Sequence, residues 1–515
     1  MKQCTLYRGP LLATVALFCC LLFFSCKNYL DVPPQGLVTE EAIADDPQAA
    51  INLVNGAYNA LWLGDAFGPA DVHSLNFVIL TEVASDNADK GSSPPDYEPA
   101  AEIDNFTLTP GNSIVNNIWR GYYRAIARVN QAIDRIPLSP LDETRKNQLM
   151  AEVLFLRGYF YFNLVRFFGG VPLITRVPAP SEANNPEFQT RASRDSVYDF
   201  IISDLQFAVE HLPNKGETAV GRATRGAAAS LLAKVHMYLG NWQQVYDLTN
   251  MVINGETGTY DLHPNYFELW RESGENNIES IFEVQTGENN QCNNAIQLYV
   301  VSQGPRAGGA FGWQDLGFGF NSPSEDLVNA YEPNDPRREA TIIFIDQDGT
   351  VLWDGFRIPS KDSVENFRYN YKAYHSRTQE SNCGNTDFLP KNLRLMRFAE
   401  VLLMHAEAAN ELGFPSEALT SLNRVRARAR GNNENVLPDI TTTDPVQLRE
   451  AIWHERRVEL AMEHDRFFDI VRQGRAAELL QAQGKNFVAG KNEVFPIPAE
   501  QIQLSGGLLT QNPNY

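Results

Sequence analysis

Positive charge is scarce in this chain of 515 residues. It has 43 Lys and Arg against 63 Asp and Glu, and its formal net charge is -20. A protein that binds nucleic acid usually carries a basic patch or stripe. The charge balance therefore argues against nucleic acid and anionic lipid surfaces as partners, and it predicts good solubility without identifying a ligand.

Recognisable catalytic motifs are also lacking. The chain has no Gly-x-Ser-x-Gly elbow and no phosphate-binding loop. His454-Glu455 resembles the start of a zinc-protease helix, but Val458 stands where the second His is needed, and the segment is predicted to be a helix with internal ion pairs. Asp346-x-Asp348-Gly349 resembles part of a calcium-binding loop, but the rest of the EF-hand spacing and its late Glu are missing. A glycosidase stays open on the residues alone, because a pair of catalytic carboxylates has no sequence signature.

Long apolar runs are limited to one place near the start of the chain. The run from Leu11 to Phe24 is too short to span a bilayer comfortably as a helix. Lys2 and Arg8 precede it, and Ser25-Cys26 follows, which is the order of an export signal. We therefore predict that residues 1–26 are a lipoprotein signal peptide and that Cys26 is the lipid attachment site. The alternative is an ordinary signal peptide with an incidental Cys.

Cysteine is rare in the mature chain. Of six Cys, three lie in the leader and a fourth is Cys26, so Cys292 and Cys383 remain. In an oxidising compartment two such residues either form a disulfide or stay as two unrelated thiols. The sequence favours neither alternative.

Helical patterns are abundant at both ends of the mature chain. Residues 144–168 have apolar residues at steps of three and four, which is one face of a helix. Two pairs of helices are separated by turns at Gly240 and Gly413, and so short a connection predicts a helix hairpin. A further helix starts at Asp444-Pro445 and is predicted to run towards Gly474. Degenerate pairs of this kind resemble tetratricopeptide units.

The middle of the chain has a different character. Residues 256–392 are rich in Gly, Asn, Pro and aromatics, and 84–112 form a second predicted loop. Residues 279–285 are a strand candidate, and 341–345 with 350–353 are predicted to form a hairpin. The predicted fold class is mainly α, a tetratricopeptide-like helix-hairpin scaffold with a loop-rich, partly β insertion that carries the ligand site. Its predicted parts, packed as one compact body, are the N-terminal helical part 27–255, the irregular region 256–392 and the C-terminal helical part 393–515.

Aromatic residues in the loops are the positive signal for a ligand. Sugar rings have apolar faces that flat aromatic surfaces complement, and such surfaces must lie on loops to be exposed. The candidate ligand-binding residues are Trp313, Phe311, Tyr97 and Tyr299. For each of them the alternative is packing in the core. Further candidates are Trp353, Tyr369, Tyr371 and Tyr374.

Several segments, taken in order, resemble the SusD/RagB family over nearly the whole mature chain. The first is the lipid Cys and the extended stretch after it (26–34). The others are EVLFLRGYFYFNLVRFFGGVPL (152–173), LLAKVHMYLGNW (231–242), LRLMRFAEVLLMHAEAANELG (393–413), ALTSLNRVRARA (418–429), HERRVELAMEHDRFFDIVRQG (454–474), FPIP (495–498) and QNPNY (511–515).

The resemblance implies a function. Members of the family are lipid-anchored, cell-surface proteins that capture glycans, or in some cases peptides, and act with a SusC-like TonB-dependent transporter of the outer membrane. They are not enzymes, so we expect no catalytic residue, no metal ligand and no cofactor. The family motifs are structural, and the resemblance supplies no binding residue by position. The alternatives that remain are a peptide-binding RagB-like uptake protein and a secreted carbohydrate-active hydrolase.

Overall fold

The computed structural model describes residues 46–64, 68–182, 185–286, 296–306, 317–381, 384 and 387–515. The α-helices of these residues are α1 Pro47–Tyr58, α2 Leu75–Val78, α3 Glu98–Asp104, α4 Ser113–Arg135, α5 Glu143–Phe168, α6 Pro186–Gln189, α7 Arg194–His211, α8 Arg225–Tyr238, α9 Trp242–Ile253, α10 Tyr299–Gln303, α11 Glu325–Ala330, α12 Pro336–Thr341, α13 Phe398–Glu411, α14 Pro415–Arg430, α15 Pro445–Glu459, α16 Arg466–Arg472, α17 Ala476–Ala482 and α18 Ala499–Leu504.

Side-chain caps begin many of the longer helices, and the one at Asp444 is predicted from the sequence. The Asp444 carboxylate accepts the backbone N–H groups of Val446 and Gln447, and a proline follows it at the first helical position. Asp142 caps α5 and Thr224 caps α8 in the same way. Each cap satisfies donors that the helix itself leaves without partners.

The long helices pack against one another in the order of the chain. Contacts join α4 with α5, α5 with α7, α7 with α8, and α8 with α9. The series then continues from α9 to α13, α14 and α15, although 144 residues separate the end of α9 from the start of α13. The middle region is therefore an insertion into a continuous stack of helix pairs. This arrangement confirms the predicted mainly α scaffold.

The centre of the stack is α5. Every residue of this helix from Ala151 to Phe168 is buried, not only the predicted apolar face. A helix that is buried all round must be covered by other elements on every side. Its Phe residues contact rings from distant parts of the chain, such as Phe155 with Phe282 and Phe167 with Phe468. The largest cluster of buried hydrophobic residues accordingly draws on all three predicted parts of the mature chain.

The strands are short and pair two by two. They are β1 Ala88–Gly91, β2 Ser280–Val284, β3 Phe320–Pro323, β4 Ile342–Phe344, β5 Thr350–Val351, β6 Arg357–Ile358, β7 Arg368–Asn370 and β8 Leu393–Arg397. The antiparallel pairs are β1 with β3, β2 with β8, β4 with β7, and β5 with β6. The β2–β8 pair joins the two ends of the insertion, and β2 confirms the strand predicted at 279–285.

The predicted hairpin at 341–353 is wrong. A turn does form, and the backbone N–H of Gly349 donates to the carbonyl of Asp346. However, β4 pairs with β7 and β5 pairs with β6, so the two predicted strands have other partners. The predicted loop 84–112 likewise contains β1 and α3. A partner that comes from later in the chain leaves no local sequence signal.

The charged helix near the C-terminus forms ion pairs mainly with other elements, not within itself as predicted. Glu455 and Glu459 of α15 are fully buried, and both pair with Arg337 of α12. Glu459 also pairs with Arg397 at the end of β8 and with Arg428 of α14. Burial alone would raise the pKa of Glu459, but these guanidinium groups outweigh it and lower that pKa below its ordinary value. The network ties the insertion to the C-terminal helices.

The single helix predicted from Asp444 towards Gly474 is broken in the structure. It ends at Glu459, and α16 starts at Arg466 after a turn in which Met462 and His464 have positive φ. The buried carboxylate of Glu82 accepts the backbone N–H groups of both turn residues, each at 2.9 Å. A carboxylate from a distant helix therefore holds this turn in a conformation that non-glycine residues rarely adopt.

The buried carboxyl of Glu82 predicts a specific pH dependence. Burial raises its pKa from 4.5 to about 7, although its hydrogen bonds act in the opposite direction. The folded state therefore binds the proton of the Glu82 carboxyl more tightly than the unfolded state does. The stability that this protonated carboxyl contributes is fully present below pH 4.5 and is lost as the pH rises through 7. Between about pH 5 and 8 the free energy of unfolding of the wild type should fall relative to that of Glu82→Gln by about 2–3 kcal/mol. Denaturant titrations at both pH values would measure this, and a constant difference would contradict it.

Candidate functional site

Two antiparallel strands pair next to the described residues that flank 307–316 in the chain. Strand β1 pairs with β3, and Gly91 lies opposite Phe320. The backbone carbonyl of Gly319 accepts the N–H of Ser92 at 2.7 Å, and Gly319 donates its own N–H to Gly304 at 2.9 Å. The described residues on either side of 307–316 are thus held together. We call the surface formed by residues 91–97, 304–306, 317–319 and 365–367 the crossing surface.

The loop after β1 is fixed by polar groups. Ser92 donates its hydroxyl to Asp96 Oδ2 at 2.7 Å, and Arg306 forms an ion pair with the same carboxylate. The ammonium of Lys90 donates to the carbonyls of Ser93 and Asp96, and burial lowers the pKa of that ammonium. The loop conformation is therefore set before any ligand arrives.

Among the described residues, four of the eleven non-glycine residues with positive φ lie on this surface or on elements next to it. Ser92 and Tyr97 have positive φ, and so do Leu298 and Asn321 on the neighbouring elements. This conformation is costly for non-glycine residues, and such residues cluster at functional sites, where the surroundings hold them in place. Together with the fixed loop after β1, this makes the crossing surface our candidate functional site.

Aromatic rings of different exposure surround the crossing surface. Tyr97 is half-buried, donates its hydroxyl to Asn76 at 2.6 Å and meets Phe320 edge to face. Phe318 is also half-buried, and Phe367 is 51% exposed. Phe367 follows Asn366, whose side-chain carbonyl accepts the N–H of Ser92 at 2.9 Å. Aromatic faces and polar edges therefore lie side by side, which is the chemistry that a sugar ring needs.

The two predicted ligand residues that the structure describes, Tyr97 and Tyr299, lie in different surroundings. Tyr97 lies on the crossing surface as expected. Tyr299 is only 7% exposed, its ring packs against His464, and its hydroxyl lies 2.9 Å from His464 Nε2. A ring packed in this way has no free face for a sugar, so the prediction for Tyr299 is wrong.

Five other predicted residues lie outside the described residues. They are Phe311, Trp313, Cys26, Cys292 and Cys383. Of the further aromatic candidates, Tyr369 and Tyr371 are buried, whereas Trp353 is 39% exposed. Sequence reasoning missed Arg306, Asn366 and Phe367, because a residue in an aperiodic segment gives no signal of where it will lie.

Neither a metal centre nor a membrane-spanning helix is found over the described ranges. Within them no group of three or more His, Cys, Asp or Glu side chains is arranged to hold a metal ion. Nor does any helix there have both the length and the apolar character needed to cross a membrane.

Comparison with known proteins gives a consistent family. Residues 278–515 match the model described as the SusD family, and residues 39–239 match one described as starch-binding and associating with the outer membrane. SusD-like protein P2 of Formosa agariphila is 30% identical over 96% of this chain and 98% of its own length. A SusD-like protein of Bacteroides ovatus is 26% identical over 88% of this chain and 80% of its own.

Solved structures agree with these relatives. A laminarin-binding SusD-like protein superposes with a TM-score of 0.73 and 30% identity, covering 91% of this chain and 99% of its own. Surface glycan-binding protein A from Bacteroides fluxus has a TM-score of 0.73 and 25% identity, covering 91% of this chain and 100% of its own. On the sequence matches and the shared helical fold, this chain belongs to the SusD family.

Proposed function

We propose that this protein is a non-enzymatic glycan-binding lipoprotein of the cell surface. It captures oligosaccharides or polysaccharides and delivers them to a SusC-like TonB-dependent transporter in the outer membrane. The lipid is carried by Cys26, and replacing Cys26 with Ala would release the protein from the membrane fraction.

One observation carries the glycan-binding role. The SusD-like structure that is 30% identical over 91% of this chain is named as a laminarin-binding protein. At that identity the two chains share a family and a fold, whereas the ligand of this chain is our inference. Because laminarin is the ligand in that name, it is the first glycan to test.

The crossing surface is the proposed binding site. Its loop is preorganised by the Ser92–Asp96–Arg306 contacts, so ligand binding does not have to order it. Tyr97 contributes part of a ring, and Phe367, which follows Asn366, is exposed. We further propose that Phe311 and Trp313 contact the glycan, since their segment starts and ends at this surface.

Substitution of Trp313 tests the site. Truncating a stacked Trp should cost about 1–3 kcal/mol of binding, by analogy with bases that stack on aromatic side chains. We expect Trp313→Ala to lose most of its retention in laminarin affinity gels while its melting temperature stays at the wild-type value. Trp242→Ala, at the start of α9, is the matched control and should keep full retention. Unchanged retention by Trp313→Ala, or a fall in melting temperature before retention changes, would contradict the proposed role.

A further inference from the structure

A second cleft with sugar-binding chemistry lies away from the crossing surface. It is open to solvent and has a volume of about 230 Å³. One wall is the end of α1 with the 3₁₀ turn Asn59–Trp62 that continues it. The opposite walls are residues 220–222 and the end of β2 with the residues after it. None of these residues belongs to the crossing surface.

Two aromatic side chains line this cleft. They are Tyr58, the last residue of α1, and Trp62, the last residue of the 3₁₀ turn that follows it. The Tyr58 hydroxyl accepts the backbone N–H of Ala223 at 2.9 Å, and the Trp62 indole N–H donates to the carbonyl of Gln285 at 2.8 Å. The guanidinium of Arg222 lies over the Tyr58 ring, whereas the Trp62 ring is half-buried and lines the cleft. Both rings are held before a ligand arrives.

Amide groups stand beside these rings. Asn55 and Asn59 are exposed and four residues apart, so they line the cleft side by side. Asn55 accepts a hydrogen bond from Arg222 through its carbonyl oxygen. Among the described residues, no side chain or backbone group bonds the NH₂ group of Asn55 or the amide of the Asn59 side chain. Amides both donate and accept, which suits the hydroxyl groups of a sugar.

The charges of the cleft are already compensated. Arg222 forms an ion pair with the buried Glu152 at 2.8 Å. Glu283 is buried and accepts hydrogen bonds from the backbone of Asn276 and from the Asn392 side chain, so its carboxylate is satisfied within the protein. Arg222 and Glu283 are the charged residues among the described lining residues. A ligand with a net charge would therefore find no unpaired counter-charge among them.

We propose that this cleft is a second saccharide-binding site, which takes an uncharged sugar unit stacked on Trp62 with its hydroxyls on Asn55 and Asn59. The proposal rests on the proposed glycan-binding function and extends it to two sites on one chain. Two sites of moderate affinity that engage one long polysaccharide would raise its overall affinity beyond that of either site.

Calorimetric titration of the mature protein with laminarihexaose, cellohexaose, maltohexaose, xylohexaose and mannohexaose tests the proposal. The wild type should bind two molecules of at least one of them. Trp62→Ala should bind one molecule, and Trp313→Ala should also bind one. Asn59→Ala should weaken the site in the cleft by about tenfold, the loss of one good hydrogen bond. Trp242→Ala is the control and should keep both sites.

The outcomes separate this proposal from the one before it. If Trp62→Ala and Asn59→Ala both match the wild type while Trp313→Ala loses all binding, the second site is wrong and the glycan-binding function stands. If the wild type binds none of the five hexasaccharides, both proposals fail together. Asn59 is exposed, and its side chain forms no hydrogen bond with the described residues. Asn59→Ala should therefore fold even if Trp62→Ala does not, and the cleft is tested in either case.

Discussion

Glu459→Ala should destabilise the protein by about 3–5 kcal/mol. The carboxylate of Glu459 is fully buried and lies between Arg337, Arg397 and Arg428. Removing it takes one counter-charge from each of three buried guanidinium groups, although each keeps another carboxylate partner. Breaking a buried ion pair on one side costs far more than the pair itself contributes. Because these arginines come from different elements, the loss should also loosen the insertion from the C-terminal helices. The free energy of unfolding from denaturant titration measures the effect.

Glu339→Ala is the matched control for this substitution. Glu339 pairs with Arg338 at 2.9 Å, but its side chain is 66% exposed. An exposed pair of this kind contributes about 1 kcal/mol at most. We therefore expect the free energy of unfolding to fall much more in Glu459→Ala than in Glu339→Ala. Equal effects, or a change under about 1 kcal/mol for Glu459→Ala, would mean that the buried network does not hold the insertion.

Gly91→Ala should disrupt the crossing surface and the glycan binding that we assign to it. Gly91 has φ +67°, and a Cβ there would lie 2.3 Å from the carbonyl oxygen of Gly319. The conformation alone costs about 1–2 kcal/mol for a residue with a side chain. The contact adds to this cost, because a backbone carbonyl cannot rotate away like a side chain. The strands must separate, and the loop from Ser92 to Tyr97 moves with them.

Gly355→Ala is the control for this substitution, because it introduces the same unfavourable backbone conformation without a close contact of the new Cβ. Gly355 also has a positive φ, +83°, but apart from its chain neighbours no heavy atom of the described residues lies within 4 Å of the position that a Cβ would occupy. It should therefore lose about 1–2 kcal/mol and keep glycan retention. Gly91→Ala should show the larger fall in stability and lose retention. If both variants retain glycan like the wild type, the crossing surface is not the binding site.

Much of the helical scaffold could be predicted from the sequence, because its signals are local. The period of apolar residues in 144–168 and the Asp444-Pro445 start each lie within one element. The glycine turns at Gly240 and Gly413 are equally local, and the structure has a helix on each side of both. Such features depend on neighbours a few residues away, which sequence periodicity captures.

The errors concern partners that are distant in the chain. The break after α15 depends on Glu82, which is 380 residues from Met462. The strand pairs of the insertion and the buried partners of Glu459 are also long-range. No local pattern shows where a buried carboxylate will find its arginines. The helix hairpins were therefore predicted and the contacts that join them were not.

The candidate site was predictable only in part, because the composition of a loop is visible in the sequence but its distant neighbours are not. The composition of the loops pointed to the middle region and to Tyr97, and the structure brings Tyr97 beside the ends of 307–316. Tyr299 lies in the same region of sequence but belongs to α10, and its ring is packed in the core. Phe367 and Arg306 join the surface only because the chain folds back on itself there.

Incubation of the purified mature protein with glycans tests the central claim most directly. Laminarin is the first choice, followed by other neutral polysaccharides and a control peptide mixture, with affinity-gel retention and released reducing ends measured on the same samples. The account predicts saturable retention by at least one glycan and no increase in reducing ends. Release of reducing ends would identify a hydrolase, and retention of peptides without retention of any glycan would identify a peptide-uptake protein; either result would contradict the account.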